Sequence, residues 1–287
     1  MRRSCHISRA TLLGDPIQDN LHRFETSWLI SPTILACLRG LIALYIITTI
    51  IVIWVWYGTH NERVEIGESF SYFTWLTYWG LFFYFLVSAI HTALYARTGR
   101  SVLFDRCPRV FRTLHAILYA SITTYPFLVT IVFWGILFTP PFYKTTFPGW
   151  SNISQHGLNS FYALLEIFLP ATAPHPLVAI PALILGLLFY LCVAYITYYT
   201  QGWYSYSFLD TEHGKKSGTV AGYCFGILAA ILVIFAISWF FIWLRKRLTG
   251  DKIKQSKHDS GTEVNEFSLG DVDSEGQMKE TKDGVQV

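Results

Sequence analysis

The stretch TILACLRGLIALYIITTIIVIWVWY, residues 33–57, decides the fold class. A helix rises about 1.5 Å per residue and the apolar part of a bilayer is about 30 Å thick, so roughly 20 mostly apolar residues suffice to cross it. This stretch exceeds that length and is apolar along nearly all of it. It therefore predicts a helix that spans a membrane.

Five further segments have the composition of spanning helices, and most are bounded by polar or basic residues. We predict an all-α, polytopic membrane helix bundle of about six transmembrane helices. The fourth segment is the shortest and the most polar of the six. The segments are Thr33–Tyr57, Tyr72–Ala96, Thr113–Phe138, Asn152–Leu169, Leu177–Thr200 and Gly218–Leu244.

The overall composition favours the same fold. Of the 287 residues, 52% are hydrophobic and 14% are charged, whereas about a quarter of the residues in a typical soluble domain are charged. The net charge of +3 comes mainly from basic residues beside the segments and forms no concentrated basic surface. The bilayer is therefore an expected partner and nucleic acid is not.

Basic residues predict the orientation, because Lys and Arg are retained on the cytoplasmic side of a membrane. They are concentrated in the amino-terminal tail and in the loop after the second segment, so both chain ends are predicted to be cytoplasmic. The predicted parts are an N-terminal tail (1–32), a six-helix transmembrane domain (33–248) and a C-terminal tail (249–287). The polar composition of the last part predicts a disordered tail.

No signal peptide is predicted, since the polar and basic start of the chain lacks an apolar stretch before a cleavage site. The first segment is therefore expected to remain as a membrane anchor. Targeting cues are weak. The expected location is the endoplasmic reticulum, another endomembrane or the plasma membrane.

The fourth segment places its polar residues on one face of the predicted helix, at spacings of three and four. Such a face is costly against lipid, so it is expected to point to other helices or to a wet cavity, where ionisable residues are functional candidates. The second segment has a similar stripe, and two stripes imply one shared interior. Hydrogen bonding between helices is the commoner explanation for any single Thr or Ser. The fourth stripe is Asn152, Gln155, His156, Asn159, Ser160 and Glu166.

Thr74 and His156 are the candidate catalytic pair. The second and fourth segments both enter from the predicted outer face, and each residue lies a few positions past the start of its segment. Thr74 and His156 are therefore expected at the same depth in the membrane. A hydroxyl beside an imidazole is the minimal apparatus of nucleophilic catalysis, because the imidazole takes the proton of the attacking hydroxyl. On spacing alone, a channel, carrier or sensor is at least as compatible.

The group that would orient His156 is not evident. Glu166 is ten residues further on, about 15 Å along the same helix, and cannot touch His156 without a relay. Asp210, in the predicted outer loop after the fifth segment, is the preferred candidate. The sequence has no zinc-type His and Cys spacing, phosphate-binding Gly-rich loop or Gly-x-Ser-x-Gly motif, so neither a metal nor a cofactor is expected.

Three motifs resemble those of the androgen-induced, androgen-dependent family of multipass membrane proteins. Just before the fourth segment, Gly149 and Trp150 are followed by His156 six residues after the Trp and by Glu166 ten residues later. In the second, Phe73-Thr74-Trp75-Leu76 resembles the segment around the family's nucleophilic Thr, with Thr77 as a nearby competitor. After the fifth segment the matching residues are Gly202, Tyr204, Tyr206, Phe208, Leu209 and Asp210.

The resemblance implies a threonine hydrolase that cleaves fatty-acid esters of hydroxy fatty acids. It assigns the nucleophile to Thr74 and the base to His156. Asn159, as an oxyanion donor, and Glu166 and Asp210 are supporting candidates. The chain departs from the family pattern at Tyr198–Gln201, where paired His and a Thr are expected, and at Ile153, where a second His is expected; these changes bear mainly on the substrate.

Two other functions stay open. The same interior could belong to a non-enzymatic membrane protein that binds a lipid or transports a small solute. The chain could also be a scaffold that acts through its tails. The predicted partner of the leading hypothesis is a lipid or fatty-acid ester.

Overall fold

A computed structural model of the chain describes residues 22–138, 146–211 and 217–275. Most of the predicted N-terminal tail lies outside these ranges. Within them the chain is helical, and the backbone pairing that resembles a strand is the isolated bridge between Ser27 and Pro170. The prediction of an all-α fold is confirmed.

The main helices are named here in chain order. Phe133–Leu137 is a π-helical continuation of α4, and Ser154–Leu158 is a π-helical segment between α5 and α6. The loops hold the short helices Arg63–Glu68 and Val102–Asp105. The main helices are α1 Pro32–Thr59, α2 Phe73–Thr98, α3 Arg109–Ile122, α4 Tyr125–Val132, α5 Thr146–Ile153, α6 Asn159–Phe168, α7 Ala179–Gln201 and α8 Ser217–Glu275.

Five stretches within the described residues are long and apolar enough to cross a membrane, which confirms an integral multi-pass membrane protein. The predicted first, second and fifth segments agree with the observed helices to within about two residues at each end. The five stretches are Pro32–Thr59, Phe73–Thr98, Val110–Leu137, Ala179–Gln201 and Ser217–Gly250.

The predicted fourth crossing, Asn152–Leu169, is not among these five stretches of the described chain. Its residues are divided among α5, the π-helical segment and α6, which have 8, 5 and 10 residues. None of these pieces alone reaches the length that a bilayer requires. The count of six crossings and the orientation of the ends therefore stay predictions.

The C-terminal tail predicted as disordered, 249–287, is partly helical. The backbone of α8 continues from the membrane-length stretch to Glu275, and residues 276–287 lie outside the described ranges. Extending an existing helix costs less than nucleating one, and this polar sequence contains no proline to stop it. The domain boundary at residue 248 stays a prediction.

Local sequence explains where the long helices begin and end. Ser31 caps α1, since its Oγ accepts a hydrogen bond from the backbone N–H of Ile34 at 3.3 Å, and Pro32 occupies the first helical position. Gly99 and Gly202 follow α2 and α7 with φ of +65° and +80°. Glycine adopts this left-handed conformation without strain, so the chain leaves each helix at once.

Helices α1 and α2 pack together more extensively than any other pair of described elements. Ile42, Ile46, Ile50 and Ile53 lie on the face of α1 that joins the buried core, at helical spacing. The opposite face is apolar as well: its side chains are between 52% and 63% exposed, as a lipid-facing surface requires. These exposed residues are Leu41, Leu44, Ile51 and Val55.

A buried ion pair links α1 to α6. Arg39 donates from Nε to Glu166 Oε1 at 2.7 Å and from Nη2 to Oε2 at 2.8 Å, and both side chains are buried. The hydroxyl of Tyr84 also donates to Glu166 at 3.0 Å, and Arg39 donates to Thr92 at 2.6 Å. This bidentate geometry with additional hydrogen bonds compensates the cost of removing two charges from water.

Arg245 of α8 holds the connection between α6 and α7. Its guanidinium donates to the carbonyl oxygens of Ile167, at 2.9 Å, and of Pro170 and Thr172. The carbonyl groups at the end of a helix have no partners in the helix itself. A buried cation therefore satisfies the end of α6 and anchors the first residues of the connection that follows it.

Candidate active site

An apolar cavity of about 240 Å³ lies between α2, α4, α7, α8 and the loop after α7. Almost all of its lining is aliphatic or aromatic. The residues that bring a polar group to its wall are Thr74, Tyr190, Tyr206 and Cys224. Apolar pockets with a few polar groups are the usual form of small-molecule sites, and such a wall suits a hydrocarbon chain.

Thr74 lies in the first turn of α2 and is 8% exposed. The preceding residue, Tyr72, takes the N-cap position without a side-chain hydrogen bond to the helix. The first backbone N–H groups of a helix lack partners within it, and in α2 the backbone groups of Phe73 and Thr74 are directed at the Tyr206 phenol. A hydroxyl at the wall of an apolar cavity fits an attack on a carbonyl group.

Thr77, the competing hydroxyl, is bound to its own helix. Its Oγ1 donates to the carbonyl oxygens of Phe73 and Thr74, at 3.0 Å each. It also does not line the cavity that Thr74 lines. The sequence could not decide between these two threonines. The structure distinguishes them, because Thr74 lines the cavity and Thr77 does not.

Tyr206 reaches Thr74 from the loop after α7. Burial raises the pKa of its phenol, and a hydrogen bond with the Thr74 side chain acts against this rise, as does one with Tyr190. The backbone groups of Thr74 and Phe73 bond to the same phenol. The phenol oxygen therefore lies at the first turn of α2, next to the Thr74 hydroxyl.

His156 lies in the π-helical segment Ser154–Leu158 and is 8% exposed. Its imidazole stacks on Phe133, with 3.6 Å between ring centroids and an interplanar angle of 2°. Its backbone oxygen accepts hydrogen bonds from Thr130 Oγ1 at 2.7 Å and from Trp134 Nε1 at 3.1 Å. π-helical turns are rare and are often found at functional sites.

The imidazole of His156 is not committed to a structural hydrogen bond at Nδ1. This nitrogen is buried, and in the part of the chain that the structure describes it has no partner. Buried polar atoms are nearly always satisfied, so each exception requires an explanation, and a catalytic role is one of these. Ring stacking and backbone hydrogen bonds thus hold His156 in place, while its Nδ1 makes no hydrogen bond to the described residues.

Thr74 and His156 reach the cavity in different ways. Thr74 lines it directly, whereas His156 stacks on Phe133, which lines it. The π-helical segment that carries His156 packs against α2, which carries Thr74. Among the described residues, no hydrogen bond joins the two side chains in this conformation.

The supporting candidates lie elsewhere. Asn159 is buried, and its amide oxygen accepts from Thr130 Oγ1 at 3.1 Å and from the Ser160 N–H at 2.7 Å. Glu166 is engaged with Arg39. Asp210 is half-buried and follows Leu209, which lines the cavity. None of the three candidates lines the cavity itself.

Two aromatic residues complete the site, and sequence reasoning had assigned neither a role. These residues are Phe133 and Tyr206, and Tyr206 was named only as part of the loop motif that resembles the family. Aromatic residues make up 17% of the chain, so residue type alone could not mark these two. The signal available in the sequence was position: Tyr206 lies four residues before Asp210, within the loop motif.

Comparison with known proteins places the chain. A family model described as FAR-17a/AIG1-like protein matches residues 35–241, which include Thr74, His156 and the loop motif. No curated protein and no solved structure matches the chain.

Proposed function

Since the chain belongs to the FAR-17a/AIG1-like family, we propose that it is an intramembrane hydrolase of lipid esters, such as fatty-acid esters of hydroxy fatty acids, with Thr74 as nucleophile and His156 as base. The observation that carries this proposal is the position of Thr74. It is a hydroxyl in the wall of an apolar cavity within a membrane protein. An acyl chain in that cavity would bring its ester group to this hydroxyl.

The first half of the reaction transfers the acyl group to the enzyme. Oγ1 of Thr74 attacks the ester carbonyl carbon, His156 takes the hydroxyl proton, and the electron pair of the C=O bond moves onto the oxygen. When this pair returns, the bond to the alkoxy oxygen breaks. His156 gives its proton to the leaving oxygen, which departs as the alcohol.

The second half releases the acid. Water attacks the carbonyl carbon of the acyl-threonine, and His156 accepts a proton from the water. The bond between the carbonyl carbon and Oγ1 then breaks, and His156 returns the proton to Thr74. The sum is an ester and one water converted to a carboxylic acid and an alcohol, with the enzyme restored and no cofactor consumed.

His156 needs to approach Thr74 for these transfers. Catalytic hydrogen bonds are often absent or long before substrate binds and shorten in the complex. Phe133 connects the imidazole to the cavity, because its ring stacks on His156 and also lines the cavity. An acyl chain that displaces the Phe133 ring would shift the imidazole that stacks on it.

A fluorophosphonate probe tests the proposal in detergent-solubilised protein. We expect the probe to label the wild-type chain, with the modified peptide containing Thr74, and to leave Thr74→Ala unlabelled. Thr77→Val is the matched control, since it removes a hydroxyl one turn away and should be labelled normally. Equal labelling of wild type and Thr74→Ala would contradict the assignment.

A non-enzymatic lipid-binding protein is the second candidate. It is favoured by one observation, namely that Thr74 and His156 are not hydrogen-bonded in this conformation. Such a protein would bind a fatty-acid ester in the same cavity and release it unchanged. Retention of a bound ester over hours, without free fatty acid, would select this function over hydrolysis.

A further inference from the structure

Tyr206 lies where the chemistry of the proposed hydrolysis takes place. Hydrogen bonding from the Thr74 side chain and from the backbone of Thr74 and Phe73 acts to lower the pKa of its phenol, against the effect of burial. Tyr206 also lines the same cavity as Thr74. The phenol therefore lies beside the place that the carbonyl oxygen of an ester would take if Thr74 attacked it, because N–H donors at the first turn of a helix attract partial negative charge.

The position of Tyr206 is fixed from several sides. Its ring stacks on Phe208, with centroids 5.1 Å apart, and makes an edge contact with Tyr72 at 5.9 Å. Its backbone oxygen accepts from the Leu209 N–H at 2.9 Å. The contacts of the ring therefore fix the position of the Tyr206 side chain even when the hydroxyl group makes no hydrogen bond.

Tyr190 packs beside Tyr206 at the wall of the cavity, with the ring centroids 6.1 Å apart. Tyr190 donates its own proton to the carbonyl oxygen of Ser71 at 3.2 Å. The hydrogen bonds around the Tyr206 phenol lower its pKa, so the phenol oxygen accepts them and its own proton stays available. Since burial raises the pKa of this phenol, it keeps its proton at neutral pH and can donate.

We propose that Tyr206 is a further catalytic residue: its phenol holds the Thr74 hydroxyl in place and donates a hydrogen bond to the ester carbonyl oxygen as negative charge develops there. No proton is transferred, since the phenol keeps its proton and donates a hydrogen bond to the new oxyanion. The donor is in place before the reaction, which is the condition for effective stabilisation of a transition state. This inference rests on the proposed hydrolysis by Thr74.

Tyr206→Phe tests the role, because it removes one hydroxyl and keeps the ring that packs on Phe208. We expect kcat for a fatty-acid ester to fall by about 100-fold or more, with KM changed little, as for loss of one oxyanion donor. Fluorophosphonate labelling of Thr74 should slow by a similar factor. Tyr204→Phe is the matched control: Tyr204 lies two residues earlier, contacts Thr211 at 3.3 Å and does not line the cavity.

A purely structural role would give a different result. In that case Tyr206→Phe would lower thermal stability while leaving kcat and the labelling rate near those of wild type, and the proposal would be overturned. If Tyr206→Phe does not fold, trifluorotyrosine at position 206 keeps the size of the ring and lowers the pKa of the phenol. The alkaline limb of the kcat profile should then move to lower pH, and an unmoved limb would also overturn the proposal.

The outcomes separate this inference from the proposed function. Loss of activity in Thr74→Ala together with full kcat in Tyr206→Phe would reject the role of Tyr206 alone. Full activity in Thr74→Ala would reject the proposed function itself, whatever Tyr206→Phe does.

Discussion

The imidazole of His156 and the ring of Phe133 lie face to face, with their centroids 3.6 Å apart and their planes 2° from parallel. This contact is the link between the candidate base and the cavity that Thr74 lines. It also joins the π-helical continuation of α4 to the π-helical segment between α5 and α6. These two π-helical segments of the described chain therefore meet at the candidate site.

Phe133→Ala should weaken hydrolysis by about 10-fold without preventing membrane insertion, since an aromatic pair contributes about 0.5–1.5 kcal/mol beyond burial and orients the imidazole. Steady-state rates in detergent would measure this. Ile136→Ala is the control, because Ile136 lies on the same π-helical segment, is 48% exposed and does not line the cavity. Equal rates for wild type and Phe133→Ala would show that the stacking does not orient the base.

Thr77→Val should retain nearly full hydrolysis. The Thr77 hydroxyl bonds only to the backbone of its own helix, and valine keeps its shape. The check is turnover of a fatty-acid ester beside Thr74→Val, which changes the candidate nucleophile in the same way. If Thr77→Val alone lost turnover, the nucleophile would be Thr77 and the assignment to Thr74 would be wrong.

Glu166→Gln or Arg39→Met alone should destabilise the protein by about 3–5 kcal/mol, because each leaves an uncompensated charge in the buried pair. The double variant should be more stable than either single one, since no unpaired charge remains. Thermal unfolding in detergent measures all three, with Glu65→Gln on an exposed loop helix as control. If the loss of stability in the double variant equalled the sum of the losses in the two single variants, the two residues would not be a coupled pair.

Gly186→Ala should destabilise the packing of α7 on α4 by about 1–3 kcal/mol, as overpacking usually does. A Cβ at Gly186 would collide with the hydroxyl of Tyr125, which donates to the Leu183 carbonyl at 2.7 Å. Adding Tyr125→Phe should restore part of the loss. Gly226→Ala on α8 is the control, since a Cβ there meets nothing within 4 Å, and comparable destabilisation in both variants would refute the steric cause.

Apolar length predicted the helices well. The segment at 33–57 appears as Pro32–Thr59 because a run of that hydropathy has few alternatives in a bilayer. The fourth segment was harder, since its polar residues shorten the apolar run and the backbone divides into α5, a π-helical segment and α6. Hydropathy indicates a span but not an irregular turn within it.

The sequence alone did not predict which side chains contact each other between helices. Arg39 and Glu166 are 127 residues apart, and their pairing depends on how α1 and α6 rotate against each other. The same holds for Phe133 with His156 and for Tyr206 with Thr74. The sequence indicated the hydroxyl and the imidazole from topology, but their aromatic neighbours follow from packing that hydrophobic periodicity does not encode.

The most direct test of the central claim is the rate at which purified protein hydrolyses a fatty-acid ester of a hydroxy fatty acid. Wild type, Thr74→Ala, Thr74→Ser and His156→Ala would be compared at equal folded concentration, with release of free fatty acid as the readout. We expect turnover by wild type, partial turnover by Thr74→Ser and none above background by the two alanine variants. Wild-type turnover by Thr74→Ala would contradict the account.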